Sequence, residues 1–283
     1  MTTVPFYQVD AFTTKAFSGN PAAVCLLESW PDDQLLLKIA AENNLAETAF
    51  LVPADKEHEA VDYQLRWFTP TVEVELCGHA TLASAWVLWF ERGFPGDVLT
   101  FSTQSGELIA RRLGERIQLD FPARHSLTAA VPQELELALG FMPDELLVGH
   151  ASGVVDNANR IVRAASADFI ANYQPNFQKM AELSYGIILT APAGNKNTDT
   201  LLAENCDFVS RYFAVPFGIS EDPVTGSAHC DLMPYWVSKL GKSKLHAQQL
   251  SHRGGTIDCE LLGDRVLLTG DAVVVIQGHL RLC

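Results

Sequence analysis

The feature that most constrains the fold of this 283-residue chain is that its second half repeats its first. Ser102, Gly106, Leu108, Leu113, Gly114, Glu115, Arg116, Ile117 and Leu119 are matched by Ser251, Gly255, Ile257, Leu262, Gly263, Asp264, Arg265, Val266 and Leu268, all at an offset of 149. Gly78 opens an apolar, helix-like run through Ala80, Leu82, Ala83, Ala85 and Trp86, and Gly226 opens another 148 positions on, through Ala228, Leu232, Tyr235 and Trp236. Arg66-Trp67-Phe68-Thr69-Pro70 is echoed by Arg211-Tyr212-Phe213-Ala214-Val215-Pro216 at an offset of 145. One unit is present twice, with a glycine-led helix start at the same point of each copy. The Pro122-containing stretch Phe121 to Arg124, followed by a polar and alanine-rich segment, marks the boundary. Two domains are therefore expected, residues 1–123 and 124–283.

The segment Glu221-Asp222-Pro223-Val224-Thr225-Gly226-Ser227 leads into the second of these helices. A loop of acids, proline and glycine before an apolar helix leaves backbone N–H groups pointing at the loop, where the dipole favours an anion. The same order also describes an ordinary capped helix, with Asp222 or Thr225 as the cap.

Glu47 is the residue hardest to explain by folding alone. It stands at the entrance of an apolar strand pattern, Leu45 to Val52, where a carboxyl group must be solvated, paired, or kept in an apolar pocket fit for acid/base work. The matching strand of the second copy, Ser184 to Thr190, carries no acid. A residue required by the fold would recur in both copies, so the asymmetry favours chemistry. Asn20, in Phe17-Ser18-Gly19-Asn20-Pro21, reads as part of a turn that either satisfies itself or offers its amide to a ligand. His79, at the first helix start, reads either as structural or as a neutral imidazole able to polarise a carbonyl.

A net charge of −14 argues against binding nucleic acid or an anionic membrane surface, while leaving room for a small anion held by local donors. Six scattered cysteines without paired spacing read as reduced, mostly core thiols. With no secretory signal and no apolar run long enough to span a bilayer, a cytoplasmic protein is expected. Histidines show no metal-ligand spacing, and no phosphate loop, dinucleotide fingerprint or serine elbow is present, so neither metal nor cofactor is expected. Elsewhere, Ile161 to Asn172 reads as a strand and a polar turn, Ala191 to Thr200 as a surface loop, and Pro234 as a kink or a delayed start of the second helix.

Val9-Asp10-Ala11-Phe12, Gly19-Asn20-Pro21, Glu47-Thr48-Ala49-Phe50, Phe68-Thr69-Pro70, Cys77-Gly78-His79-Ala80-Thr81, the stretch from Glu221 to Ala228 and Gly278 together resemble the phenazine-biosynthesis PhzF-like family, in order and spacing over nearly the whole chain. That resemblance implies an α/β (α+β) protein of diaminopimelate epimerase-like fold. It would have two pseudo-symmetric domains, each a curved mixed sheet around a central helix, a cleft between them, and a last strand that crosses back to the first domain. It further implies Glu47 as general acid/base moving a proton between carbons of a small anionic carboxylic acid, with His79, Asp222 and Ser227 assisting, and a homodimer. Asn20, Gly78 and Gly226 are expected to bind substrate. Related epimerases use a cysteine before each helix-opening glycine. Cys77 fills one such place, but Thr225 fills the other, which argues against two-thiol racemisation and leaves Cys77 as packing. The expected activity is a cofactor-independent isomerase; the alternative is a family member that binds a metabolite or protein without turnover.

Overall fold

The computed structural model describes residues 2–55, 60–149, 159–194 and 202–282. Contacts divide the chain into two units, one formed by Met1–Asp120 with Thr269–Cys283, the other by Phe121–Leu268. In the first unit, β1 (Thr2–Ala11) pairs antiparallel with β2 (Asn20–Leu26). A crossover through α1 (Asp33–Asn43) then sets β3 (Glu47–Pro53) parallel to β2. Local caps bound the crossover helix: the Asp32 side chain accepts from the Gln34 N–H, and Asn44 closes the helix in the left-handed region. β4 (Tyr63–Phe68) and β5 (Glu73–Val74) continue antiparallel. The chain then enters α2 (Gly78–Trp86), prolonged by a π-helical turn over Val87–Glu91. β6 (Val98–Thr103) lies parallel to β4, and β7 (Gly106–Leu113) and β8 (Arg116–Pro122) follow as antiparallel neighbours.

The second unit holds β9 (Ser126–Thr128), α3 (Gln133–Leu139), β10 (Glu145–Gly149), β11 (Arg160–Arg163), α4 (Ala167–Asn172), α5 (Phe177–Met180) and β12 (Ile187–Pro192). β13 (Phe208–Ala214), β14 (Ile219–Asp222), α6 (Gly226–Leu240), β15 (Lys244–Gln249), β16 (Gly255–Leu262) and β17 (Arg265–Gly270) complete it. The final strand, β18 (Ala272–Leu282), runs antiparallel to β1 in the first unit.

The pairing scheme is duplicated. β10–β11 repeats antiparallel β1–β2, β11–β12 repeats parallel β2–β3, β12–β13–β14 repeats antiparallel β3–β4–β5, and parallel β13–β15 repeats β4–β6. The duplication extends to side chains. Arg66 forks onto Glu73 at 2.7 and 2.7 Å, with its guanidinium over Phe68; Arg211 forks onto Glu221 at 2.7 and 2.9 Å, with its guanidinium over Phe213. Bidentate forks of this kind fix orientation as well as adding attraction.

Both glycine-led helices are buried nearly all round, as expected of a helix about which a sheet curves. Each clamps its own start: the Thr81 hydroxyl donates to Cys77 O at 2.6 Å, and in the equivalent position His229 Nδ1 lies 2.7 Å from Thr225 O. Three expectations need correction. Asn20 and Pro21 belong to strand β2, opposite Ala11 and Asp10, and not to a turn. The polar turn after Ile161 is helix α4, because the Ser166 side chain accepts from the Phe169 N–H and nucleates it. α6 begins at Gly226, level with its twin, and stays helical through Pro234. The carbonyl of Cys230, which Pro234 cannot reach, accepts the backbone N–H of Arg124 at 3.1 Å instead. Of the loop expected over Ala191 to Thr200, Ala191 and Pro192 end β12, and residues 195–200 lie outside the described residues. Among the described residues, no helix is long and apolar enough to cross a membrane.

Candidate functional site

In the first unit three sequence-predicted residues converge from separate elements. Asn20 opens β2, Glu47 opens β3, and His79 is the second residue of α2. β2 and β3 run parallel with Ala22 beside Glu47, so both strands start at the same edge. Gly19 makes the approach to β2 possible: at φ +66° it takes a conformation that L side chains resist, and a Cβ there would stand 2.2 Å from Ala11 O.

The Asn20 side-chain nitrogen lies 3.1 Å from His79 Nδ1, and the Cys77 thiol sulfur lies 3.5 Å from the same ring nitrogen. On the other side of the ring, Nε2 is 3.3 Å from Glu47 Oε2. Nε2 makes no aligned hydrogen bond in this resting arrangement. The carboxyl side chain of Glu47 is 13% exposed and that of His79 6%. Burial pushes the His79 imidazole down to about 3, because a charged ring loses its hydration there. Proximity to a carboxylate alone would favour imidazolium, but with both groups this deeply desolvated burial decides, and the contact is a neutral imidazole beside a carboxyl group.

Gly78 and Gly226 are the first residues of their helices. Neither helix start receives a hydrogen bond from its N-cap side chain, Cys77 or Thr225, whereas Asp32, Ser166 and Asn176 cap α1, α4 and α5. Neither N-cap side chain therefore serves the first-turn N–H groups of α2 and α6.

In the second unit, Asp222 is buried at the end of β14 and its carboxylate accepts a very short bond from the Thr225 hydroxyl. Ser227 is half-buried, in the α6 position that matches His79 of α2. A residue not singled out from the sequence organises this loop. Gln249, wholly buried at the end of β15, accepts the Thr225 N–H at 2.9 Å and donates to Asp222 O at 2.7 Å and to Thr225 Oγ1 at 3.1 Å. Its signal was weak: a glutamine closing a strand reads as solvated.

Cys77 does more than fill space, since its sulfur faces His79. Glu47, Cys77 and His79 also bring one donor atom each within 4.8 Å of one another, a mixed oxygen, sulfur and nitrogen set able to hold a metal ion that no sequence spacing announced. The thiols of Cys25, Cys230 and Cys259 are pushed up by burial and are inert core groups.

Comparison with known proteins places this geometry in a wider setting. Residues 9–278 match the family described as phenazine biosynthesis-like protein, PhzC-PhzF. An uncharacterized isomerase of Pseudomonas aeruginosa is 46% identical over 278 residues, covering 98% of each chain. A crystal structure of a phenazine biosynthesis protein of the PhzF family from Enterococcus faecalis superimposes with a TM-score of 0.86 at 38% identity, over 99% of this chain and 100% of that one. A hydroxyproline epimerase from Agrobacterium vitis, at 9% identity and a TM-score of 0.58 over 98% of this chain and 92% of that one, shares the fold.

Proposed function

The chain belongs to the phenazine biosynthesis-like PhzC-PhzF family, and on that premise we propose that it is an isomerase in which Glu47 carries a proton from one carbon of a small organic acid to another. The observation that carries the reading is the nearly buried Glu47 carboxyl group 3.3 Å from an uncharged His79 at the start of α2. The name of the Pseudomonas relative and the epimerase fold support the reaction class.

The Glu47 carboxylate accepts a proton from a carbon made acidic by an adjacent carbonyl, carboxyl or conjugated double bond. The electron pair left behind shifts along the conjugated system, and the carboxylic acid so formed returns the proton at a second carbon on the same face. Substrate and product are isomers, so the step balances without oxidant, reductant or other co-reactant. A carboxyl group with little water around it is suited to both halves, because neither donation nor acceptance is strongly disfavoured. The His79 Nε2–H, unaligned at rest, is the donor available to a substrate oxygen on which negative charge develops. The uncapped first turn of α2, from Gly78, supplies backbone N–H groups for the substrate carboxylate. Asp222, Ser227 and Gly226 enter as further substrate-holding groups through the family resemblance.

Incubating the protein in deuterated water with a panel of unsaturated cyclic acids and amino acids, and following mass and proton spectra, tests the reading. Deuterium entering a carbon-bound position with wild type and not with Glu47→Gln is the expected result. Binding of an acid without exchange, unchanged in Glu47→Gln, would instead make the protein a carrier or sensor of that acid.

A further inference from the structure

We infer that Asn20 is a positioning residue that sets the tautomer of His79, so that the ring presents an N–H, and not a lone pair, on the side of Glu47. The Asn20 side chain is wholly buried, on a strand entered through Gly19, with its nitrogen 3.1 Å from His79 Nδ1. An amide nitrogen only donates, so Nδ1 must accept and carry no proton. The Cys77 thiol, 3.5 Å from Nδ1, is a second group able to donate to that lone pair. An uncharged imidazole has one proton, which must then sit on Nε2, 3.3 Å from Glu47 Oε2.

Amide orientation is assigned from the surrounding network, and here the alternative can be weighed. Turning the amide would put its oxygen toward Nδ1, draw the proton there, and leave the Nε2 lone pair against a carboxylate oxygen with nothing between them. Two acceptors at that distance in a dry site repel, so the orientation with nitrogen on Nδ1 is favoured. Burying an amide costs free energy unless it is well paired. A hydrocarbon at position 20 would fill the space without that penalty, yet would leave the tautomer undetermined. The catalytic consequence rests on the isomerase reading above, whereas the tautomer itself does not.

The experiment uses the full chain labelled with ¹⁵N at histidine, with His79 identified by the signals missing from His79→Gln. Long-range nitrogen–proton correlation at neutral pH is expected to show Nδ1 as the unprotonated, pyridine-like nitrogen and Nε2 as the protonated, pyrrole-like one. In Asn20→Asp the new carboxylate demands a proton on Nδ1, so the pattern should invert or the ring should become doubly protonated. Wrong-tautomer histidines in other catalytic groups cost up to about 10⁴-fold in rate. Deuterium exchange by Asn20→Asp should accordingly fall by about 10²- to 10⁴-fold with KM little changed, while Asn20→Gln, which restores a donor, should recover part of it. A wild-type spectrum with the proton on Nδ1 overturns the inference whatever the activity, and needs no variant to fold. The expected spectrum in a protein that exchanges no acid would uphold the tautomer and sink only the isomerase reading. An inverted spectrum in Asn20→Asp with exchange at the wild-type rate would overturn the positioning role.

Discussion

His79 is held where burial sets its charge state, Glu47 stands beside it, and substitutions of the two should differ in kind. Glu47→Gln keeps the shape and removes the base, so exchange should drop by about 10³-fold or more while substrate still binds, as a titration would show. His79→Leu removes a donor and not the base; a loss of about 10²-fold is expected. Because burial takes the His79 imidazole from its ordinary 6.5 to about 3, the ring does not change charge between pH 5 and 9. The pH profile of kcat/KM should therefore lack an inflection near 6.5, and His79→Gln should not alter the profile's shape. The Glu47, Cys77 and His79 donors add a separate check. If the carboxyl group works as a proton carrier, dialysis against a chelator leaves exchange unchanged, whereas activity lost and then restored by Zn²⁺ would reassign Glu47 as a metal ligand.

At the scale of elements, the loop before α6 depends on Gln249, which satisfies three polar groups of that loop at once. Gln249→Ala should destabilise the second unit by about 2–4 kcal/mol in denaturant unfolding, the cost of leaving buried donors and acceptors unmatched. Much at this scale was legible beforehand. The glycine-led helices and the absence of an acid at the place matching Glu47 both followed from patterns written twice in one chain. Two of the failures share a cause, which is that the deciding partner is remote in sequence. Asn20 before a proline reads as a turn until its partners Ala11 and His79 are seen. Pro234 reads as a break until Arg124 is found donating to the carbonyl it strands. α4, only six residues long, has too little periodicity to announce itself, and Ser166 gives the sole local hint.

For the whole molecule, duplication explains why one copy can carry chemistry that the other lacks. The shared framework of strand pairings and Arg–Glu forks is kept in both units, while the residue at this point differs: Glu47 in one copy, Gly186, just before β12, in the other. The buried histidines also give the fold a pH dependence. A histidine held below its ordinary 6.5 binds more protons when unfolded, so it takes stability away as pH falls from 6.5 toward its folded value, about 3 for His79 and about 4 for His229. Asp231 in the second unit, raised from 3.8 to about 6, works the other way, adding stability as pH falls through that interval. Over that interval His229 and Asp231 act in opposite directions, while His79 takes stability away. Urea unfolding at pH 7 and pH 4.5 should show His79→Gln losing on the order of 2–3 kcal/mol less than wild type on acidification. The most direct test of the central claim follows a label through the reaction, using a substrate that carries deuterium at the carbon that loses its proton, in ordinary water. A single carboxyl carrier predicts product with part of the deuterium at the receiving carbon in wild type and no turnover in Glu47→Gln. Label transfer that persists in Glu47→Gln would contradict it.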